Sequence, residues 1–448
     1  MKTHKLIHSV VLITLLTLGC HKDDGPEIVV PIEENLPTPN PVPMLNSISP
    51  ESGPKNTTVT IKGIDFGTDK AKVKVFFNDV KAMVESVTET EIKTKVPSLA
   101  LTGPVKVMVD GKELTGPDFT YEFSEAHVST LAGNKDASGN TDGQGTDALF
   151  SGFGGITRDV DGNLYVAQPV ENTIRKITLD GLVTTFAGAF EGYEDGPLHS
   201  AKFKWISDVA IDASGNMYVA DTSNNRIRKI SPDGTVSTLA GSWQGFADGQ
   251  GIEARFFLPD VITVDSSGNV FVAEGSADYA HTRIRKITPE GLVTTFAGWE
   301  TGFLDGQGTD ASFKFISGMT MDNSGNIIVA DAGNNKIRKV SPDGHVSTIA
   351  GSTEGYSDGM GDEAQFYRPW GLAVDKLNNI YVADYSNMRI RKIDPKGMVS
   401  TVAGSGSYGF DDGEGQNATI AFPRTLIVDD NFNLFVTQNN VIRKIALE

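Results

Sequence analysis

Hydrophobic and polar residues alternate in short runs along most of the chain, from TTVTIKG at Thr57 to VIRKI at Val441. A period of two predicts half-buried β-strands, and the Gly, Pro, Asn and Asp between the runs predict tight turns. The exception is an apolar stretch, Leu6–Leu18, behind Lys2 and Lys5. No later run is long enough to suggest a membrane span.

The alternation comes in two styles. Between Met44 and Phe123 the runs KVKVFF, EIKTKV, PVKVMVD and DFTYEF are irregularly spaced. About seven short strands in this segment predict a small β-sandwich. From Val128 onward the pattern is periodic. VSTLAG returns as VTTFAG at Val183, VSTLAG at Val236, VTTFAG at Val293, VSTIAG at Val346 and VSTVAG at Val399, at spacings of 55, 53, 57, 53 and 53 residues. A repeat of this length governs everything else in the reading. Each unit holds four strand-like pieces, a to d; in the second unit these are VAID (Val209–Asp212), NMYVAD (Asn216–Asp221), RIRKI (Arg226–Ile230) and TVSTLAG (Thr235–Gly241). The a–b link carries D-x-x-G-N and the c–d link carries S-P-D-G, where glycine supplies the positive φ of a hairpin.

Four-stranded antiparallel units repeated about an axis predict a β-propeller. Six a–b–c sets begin near Gly155, Asp208, Asp260, Gly318, Gly371 and Thr425. The last lacks strand d, whereas the chain enters the repeats with an orphan d at Val128–Gly133. That strand is expected to add to Val441–Ala446 and close a ring of six blades, since two open edges would invite aggregation. Entry at strand d places the preceding domain on the face of the a–b and c–d turns. The d–a connections and b–c loops form the opposite face.

Two resemblances add to this. ISPESGPKNTTVTIKGIDFG (Ile48–Gly67) resembles the opening of IPT/TIG domains, which implies an immunoglobulin-like fold and reads here as a spacer. The repeat P-x-G-I-x-V-D-x-x-G-N-x-Y-V-A-D-x-x-N-N-R-I-R-K-I, matched almost throughout by Phe366–Ile393, resembles the NHL repeat, which implies a propeller. The expected fold class is all-β: a small Ig-like β-sandwich, then a six-bladed β-propeller closed by an N-terminal d strand.

Composition refines the setting. The 448 residues carry a formal charge of −18. An acidic surface repels phosphate backbones, so no nucleic-acid partner is expected. Leu6–Leu18 ends in LTLGC at Cys20, the single cysteine, and reads as a secretory signal. The segment resembles a bacterial lipobox, which implies a lipid (palmitate) on Cys20 and contact with the membrane through that anchor alone. HKDDGPE after it resembles the acidic tag of lipoproteins sent to the outer face of the outer membrane. The proline-rich Gly25–Pro43 would act as a stiff tether reaching about 60 Å. The expected organisation is signal peptide 1–19, lipidated cysteine and tether 20–43, IPT/TIG domain 44–123 and propeller 128–448.

The six internal copies separate scaffold from site: a residue present in every blade reads as structural. By this test Arg175, Arg228, Arg285, Arg338, Arg391 and Arg443 are scaffold, paired with the acids that end strand b, such as Asp221, Glu274, Asp331 and Asp384. Asp142, Asp195, Asp248, Asp305, Asp358 and Asp412 recur in the G-[YF]-x-D-G-x-G connections. Their oxygens could hold Ca²⁺, but the spacing is not that of an EF-hand, and capping of the D-G turn accounts for it. No catalytic residue and no cofactor are expected. The histidines after Cys20 (His21, His127, His199, His281, His345) place at most two on the outward face, too few for a three-histidine zinc.

What fails the copy test is aromatic. Trp205, Trp243, Trp299 and Trp370 all fall in d–a connections. Trp205 and Phe315 share a repeat position with Leu258, Arg368 and Phe422; Trp370 and Arg424 share another, beside the channel. A four-residue insertion within the b–c loop EGSADYAHTR (Glu274–Arg283) adds Tyr279. The expected ligand site is Trp205, Phe315, Arg368, Trp370 and Arg424 at the channel mouth, with Trp243, Trp299 and Tyr279 further out. The alternative is that these rings plug gaps between blades. The combination resembles surface proteins of glycan utilisation, which implies an extracellular polysaccharide ligand and partner proteins of an uptake system. A metal-assisted lactonase- or lyase-like enzyme and a structural or protein-binding scaffold remain the alternatives.

Overall fold

A computed structural model describes residues 42–123, 126–188, 190–275 and 281–447. The signal segment, Cys20, the tether up to residue 41 and Tyr279 lie outside them. The first domain is an eight-stranded sheet wrapped on itself, running from Met44–Ser49 to Lys112–Tyr121 and including the two-residue strand Ser52–Gly53. Alternate residues point inward: Val73, Val75 and Phe77 on one strand, Val105, Val107 and Val109 on the next. Phe77 meets Phe119 edge to face, with centroids 5.1 Å apart.

Six further sheets follow, one per blade. Strand b is buried along its whole length in each blade, for example Met217–Asp221 and Ile380–Asp384, because its two faces pack against neighbouring blades. The last sheet combines His127–Gly133 with Val441–Ala446, paired Gly133 to Val441 and His127 to Ala446. The orphan strand therefore fills the place of the missing d. Each blade has five strands rather than the four expected. The D-G-x-G connection adds a two-residue outer rung, such as Gly249–Gln250 against Leu292–Val293. Two polar backbone residues are a signal too short for periodicity to reveal.

The arginines of strand c form a buried belt, each with no exposed surface. Arg228 donates to Asp221 at 2.8 Å and to Asp195 at 2.5 Å, and also to the carbonyls of Lys202 and Glu194. The connection aspartates are thus ion-pair partners, Asp142 to Arg175 through Asp412 to Arg443 at 2.5–2.7 Å. They also accept from Thr185, Thr238, Thr295, Thr348 and Thr401, the second threonine or its equivalent in the VSTLAG motif. Those contacts, not a D-G turn cap, explain why the aspartate recurs. The connection aromatics recur for a similar reason: Tyr193, Phe246 and Tyr356 lie under Arg226, Arg283 and Arg389, with 3.9–4.0 Å between guanidinium and ring centroid.

The two domains touch at the a–b turn of the last blade. Phe123 packs on Phe432 at 5.1 Å, and Leu99 and Leu101 join the same apolar cluster. The channel face that bears the d–a connections points the other way.

Candidate functional site

Strand a, from its start to near its end, lines a cavity of ≈ 390 Å³ on the propeller axis, with residues from all six blades. Its walls come very close to one another, which is why glycine is frequent there. A Cβ on Gly155 would lie 1.4 Å from Oδ1 of Asp208, and one on Gly371 would lie 2.5 Å from the Arg424 carbonyl. Hydrogen bonds link neighbouring blades around the mouth: Gly155 N–H to Ser207 O at 2.7 Å, Ser207 Oγ to Asp260 O at 2.6 Å, Ser317 Oγ to Pro369 O at 2.8 Å, Gly371 N–H to Arg424 O at 2.7 Å, and Thr425 Oγ1 to Gly154 O at 3.1 Å. The mouth is therefore a rigid frame on which side chains are held in place.

The residues on that frame differ from blade to blade. One repeat position reads Gly154, Ser207, Asp260, Ser317, Trp370 and Arg424 around the ring. Asp260 belongs to the third blade and Arg424 to the sixth, so they occupy opposite walls. Burial pushes the Asp260 carboxyl above the usual carboxylate range, against a hydrogen bond from Ser207 and the charge of Arg424. Arg424 donates to the Phe153 carbonyl at 3.0 Å and lies over the Trp370 ring at 5.4 Å. Beside Asp260, Asp208 accepts from the backbone N–H groups of Val209 and Ile262, both at 2.8 Å. Burial drives its carboxyl up to about 7.

Rings extend from this mouth on one side. Phe315 meets Trp370 at 5.6 Å, Trp370 meets Tyr385 at 5.1 Å, Tyr385 stacks on Phe422 at 5.1 Å, and Phe422 meets Tyr408 at 5.8 Å. Trp205, on the blade opposite Trp370, also lines the cavity and is 52% exposed. Its backbone is left-handed, φ 52°, as are those of Leu258, Arg368 and Phe422 at the same repeat position. An asparagine of the preceding blade secures that conformation: Asn172 Oδ1 accepts from Trp205 N–H at 2.7 Å, and Asn335 Oδ1 from Arg368 N–H at 2.8 Å. The strained turn is what throws this side chain off the blade.

Of the residues expected at the site, the structure brings Trp205, Trp370 and Arg424 to the cavity and joins Phe315 to them through Trp370. Arg368 is exposed and does not line the cavity. Trp299 stands apart on the third blade, edge-on to Phe246, tilted against His281 and under Arg283 at 4.8 Å, which reads as an extension of the recurring cation–aromatic pair. Trp243 is 77% exposed, matched at the equivalent position one blade earlier by Phe190 at 73%. Asp208, Asp260, Tyr385 and Tyr408 were missed. Tyr385 stands where two other blades have Thr222 and Ala332, so the copy test could have found it; attention to aromatics in connections alone passed over the b–c turn. Among the described residues, no three histidine, cysteine, aspartate or glutamate side chains gather as a metal site would need.

Comparison with known proteins follows the same division. Residues 43–123 match the IPT/TIG domain family and residues 366–393 match the NHL repeat. The chain is 30% identical over 280 residues to protein SUPPRESSOR OF QUENCHING 1 of Arabidopsis thaliana, covering 57% of this chain but only 26% of that one. Among solved structures, a Bacteroides thetaiotaomicron protein of unknown function superposes with a TM-score of 0.64 at 24% identity, over 92% of this chain and 99% of that one. An auxiliary nutrient binding protein of Bacteroides ovatus superposes with a TM-score of 0.56 at 20% identity, over 92% and 99%. These likenesses are of fold. The chain joins a domain that matches the IPT/TIG family to a six-bladed β-propeller in which one repeat, 366–393, matches the NHL repeat.

Proposed function

We propose that this protein is a surface lipoprotein that binds an extracellular polysaccharide on the propeller face opposite the IPT/TIG domain. One observation carries the reading: the contiguous file of rings from Phe315 through Trp370, Tyr385 and Phe422 to Tyr408, starting at a charged channel mouth. Sugars present flat C–H faces that stack on such rings, at about 1 kcal/mol each. A hydrophobic core would hide such rings, yet Tyr408 at the end of the file is 58% exposed, the other four are half-buried, and Trp205 across the mouth is 52% exposed. The description of the Bacteroides ovatus neighbour as a nutrient binding protein is in keeping with a capture role. In this reading Cys20 carries the lipid, the tether spans the distance from the outer membrane, and the protein hands its ligand to an uptake system.

The test is a glycan array followed by calorimetry. Replacing both Trp205 and Trp370 by Ala should weaken binding by one to two decades, the loss of roughly two stacked rings, while the melting temperature changes little. Normal binding by the double variant would refute the site. Early unfolding would mean the rings are interblade plugs. Cys20→Ala should release the protein from membranes.

A further inference from the structure

We propose that the channel mouth seats the uncharged terminal sugar of a neutral polysaccharide, so that the chain is captured by its end. The proposal rests on the glycan reading above and narrows it to one ligand class and one mode of entry.

The argument starts from the opposed pairs. In a ring of six, blades three apart face each other, so Asp260 faces Arg424, and Trp205 of the second blade and Trp370 of the fifth stand on opposite sides of the axis. All four line the same cavity. A carboxylate only accepts hydrogen bonds and a guanidinium only donates them. A group between them must therefore donate to one wall and accept from the other. A hydroxyl does both. A uronate or sulfate would suit Arg424 but confront Asp260; an ammonium would suit Asp260 but confront Arg424. Neighbouring hydroxyls of a neutral pyranose satisfy both walls, and the tryptophans offer stacking surfaces for its faces. This replaces the anionic sugar that Arg424 by itself would suggest.

The mode of entry follows from the shape. The seat is ringed by strand a of all six blades. A sugar in the middle of a chain could reach it only by threading the channel, whereas a terminal sugar enters from the mouth. Trp370 belongs both to the cavity wall and to the file of rings that leads outward through Tyr385 to Phe422. The body of the chain can lie along that file while its end sits on the axis. Asp208 acts as a positioning residue: it accepts from Ile262 N–H, which ties the second blade to the third beside Asp260, and from Val209 N–H of its own strand.

Calorimetry with cellohexaose, laminarihexaose, xylohexaose, maltohexaose and mannohexaose, with hexagalacturonate and chitosan hexamer as charged controls, tests the idea. At least one neutral hexaose should bind more tightly than either charged control. Asp260→Asn and Arg424→Gln should each weaken that binding roughly tenfold or more, with unchanged melting temperature. Partial hydrolysis of the matching polymer should raise the binding sites per gram in proportion to the ends created. Sites that follow polymer mass, or tighter binding of a charged oligomer, would overturn the proposal. Should the channel variants bind as wild type while the Trp205/Trp370 double variant does not, the glycan reading stands and end capture falls. Should no hexamer bind the wild type, both fall.

Discussion

The propeller contains two rings of six positions that behave oppositely. The outer ring is the arginine of strand c, the same residue in every blade, fully buried and paired with the connection aspartate each time. The inner ring, at the start of strand a, reads Gly, Ser, Asp, Ser, Trp, Arg. Both are built on the same repeat and both carry charge. Uniformity in the first shows that the residue serves the blade itself; variety in the second shows that each blade contributes something different to a shared space. A basic belt repeated six times is structural, while a single arginine facing a single aspartate is the better place to look for function.

The largest effect expected concerns the closing strand rather than either ring. Deleting Val128–Gly133 would strip Val441–Ala446 of its partner and leave two sheet edges open. Cooperative thermal unfolding should be lost and the protein should aggregate. Removing the IPT/TIG domain up to Ala126 should only lower the melting temperature, by uncovering Phe432 and Leu447. A soluble, cooperatively folded propeller without Val128–Gly133 would show that the ring holds without its clasp.

Within the outer ring, blades are not equal, and this sharpens the contrast. Arg228 faces a fully buried carboxylate, Asp221, whereas Arg175 faces the neutral Gln168 at 2.9 Å. Burial pushes Asp221 upward, opposed by hydrogen bonds from Asn224 and Lys204 and by the charge of Arg228; burial lowers the pKa of Arg175, with only Asp142 and Glu171 opposing it. Arg228→Met would strand Asp221 and should cost about 3–5 kcal/mol, the usual result of breaking a buried pair. Arg175→Met leaves a single carboxylate, the half-exposed Asp142, without its cation; the other side chains it strands, Gln168 and Asn140, are neutral, so it should cost clearly less. Equal losses on chemical denaturation would mean that the second carboxylate contributes nothing.

The fold was legible because the repeat supplies its own controls. Period-two runs, the D-x-x-G-N and S-P-D-G turns and the orphan VSTLAG lead to six blades and their closure without further information. The Asp–Arg–Thr contacts were not legible in this way: Asp195 and Arg228 are 33 residues apart, and only folding shows that the connection returns beneath strand c. The candidate site was half legible. Comparing copies exposed Trp205, Trp370 and Arg424, but not Asp260, although it stands in the same column as Arg424. An acid in an acidic chain attracts no notice until geometry sets it across a channel from a cation. The left-handed turn that projects Trp205 and Arg368 was hidden as well, because non-glycine residues rarely adopt it and the asparagine that secures it belongs to the blade before.

The smallest effect expected separates the rings by pH. Beside the inner ring, next to Ser207, burial raises Asp208 from 3.8 to about 7, aided by the charge of Asp260 and opposed by its two backbone hydrogen bonds. The folded protein therefore binds a proton between about pH 4 and 7 that the unfolded chain does not. The sign follows from linkage: this contribution to stability is complete below the unfolded value and is lost as pH rises through the folded one. Asp221, Glu274, Asp331 and Asp384 are raised as well, by burial first, so the outer ring pulls in the same direction. Subtracting one profile from another isolates the inner contribution. Melting temperatures of the wild type and Asp208→Asn, measured from pH 5 to 8, should converge as pH rises. The wild type should be the more stable at pH 5, where the protonated carboxyl is at no disadvantage and still accepts from the backbone. Near pH 8 the variant should close the gap or overtake, because it has no buried charge to form. Parallel profiles would mean that Asp208 titrates like an ordinary carboxylate, and that the channel mouth is wetter than its geometry suggests.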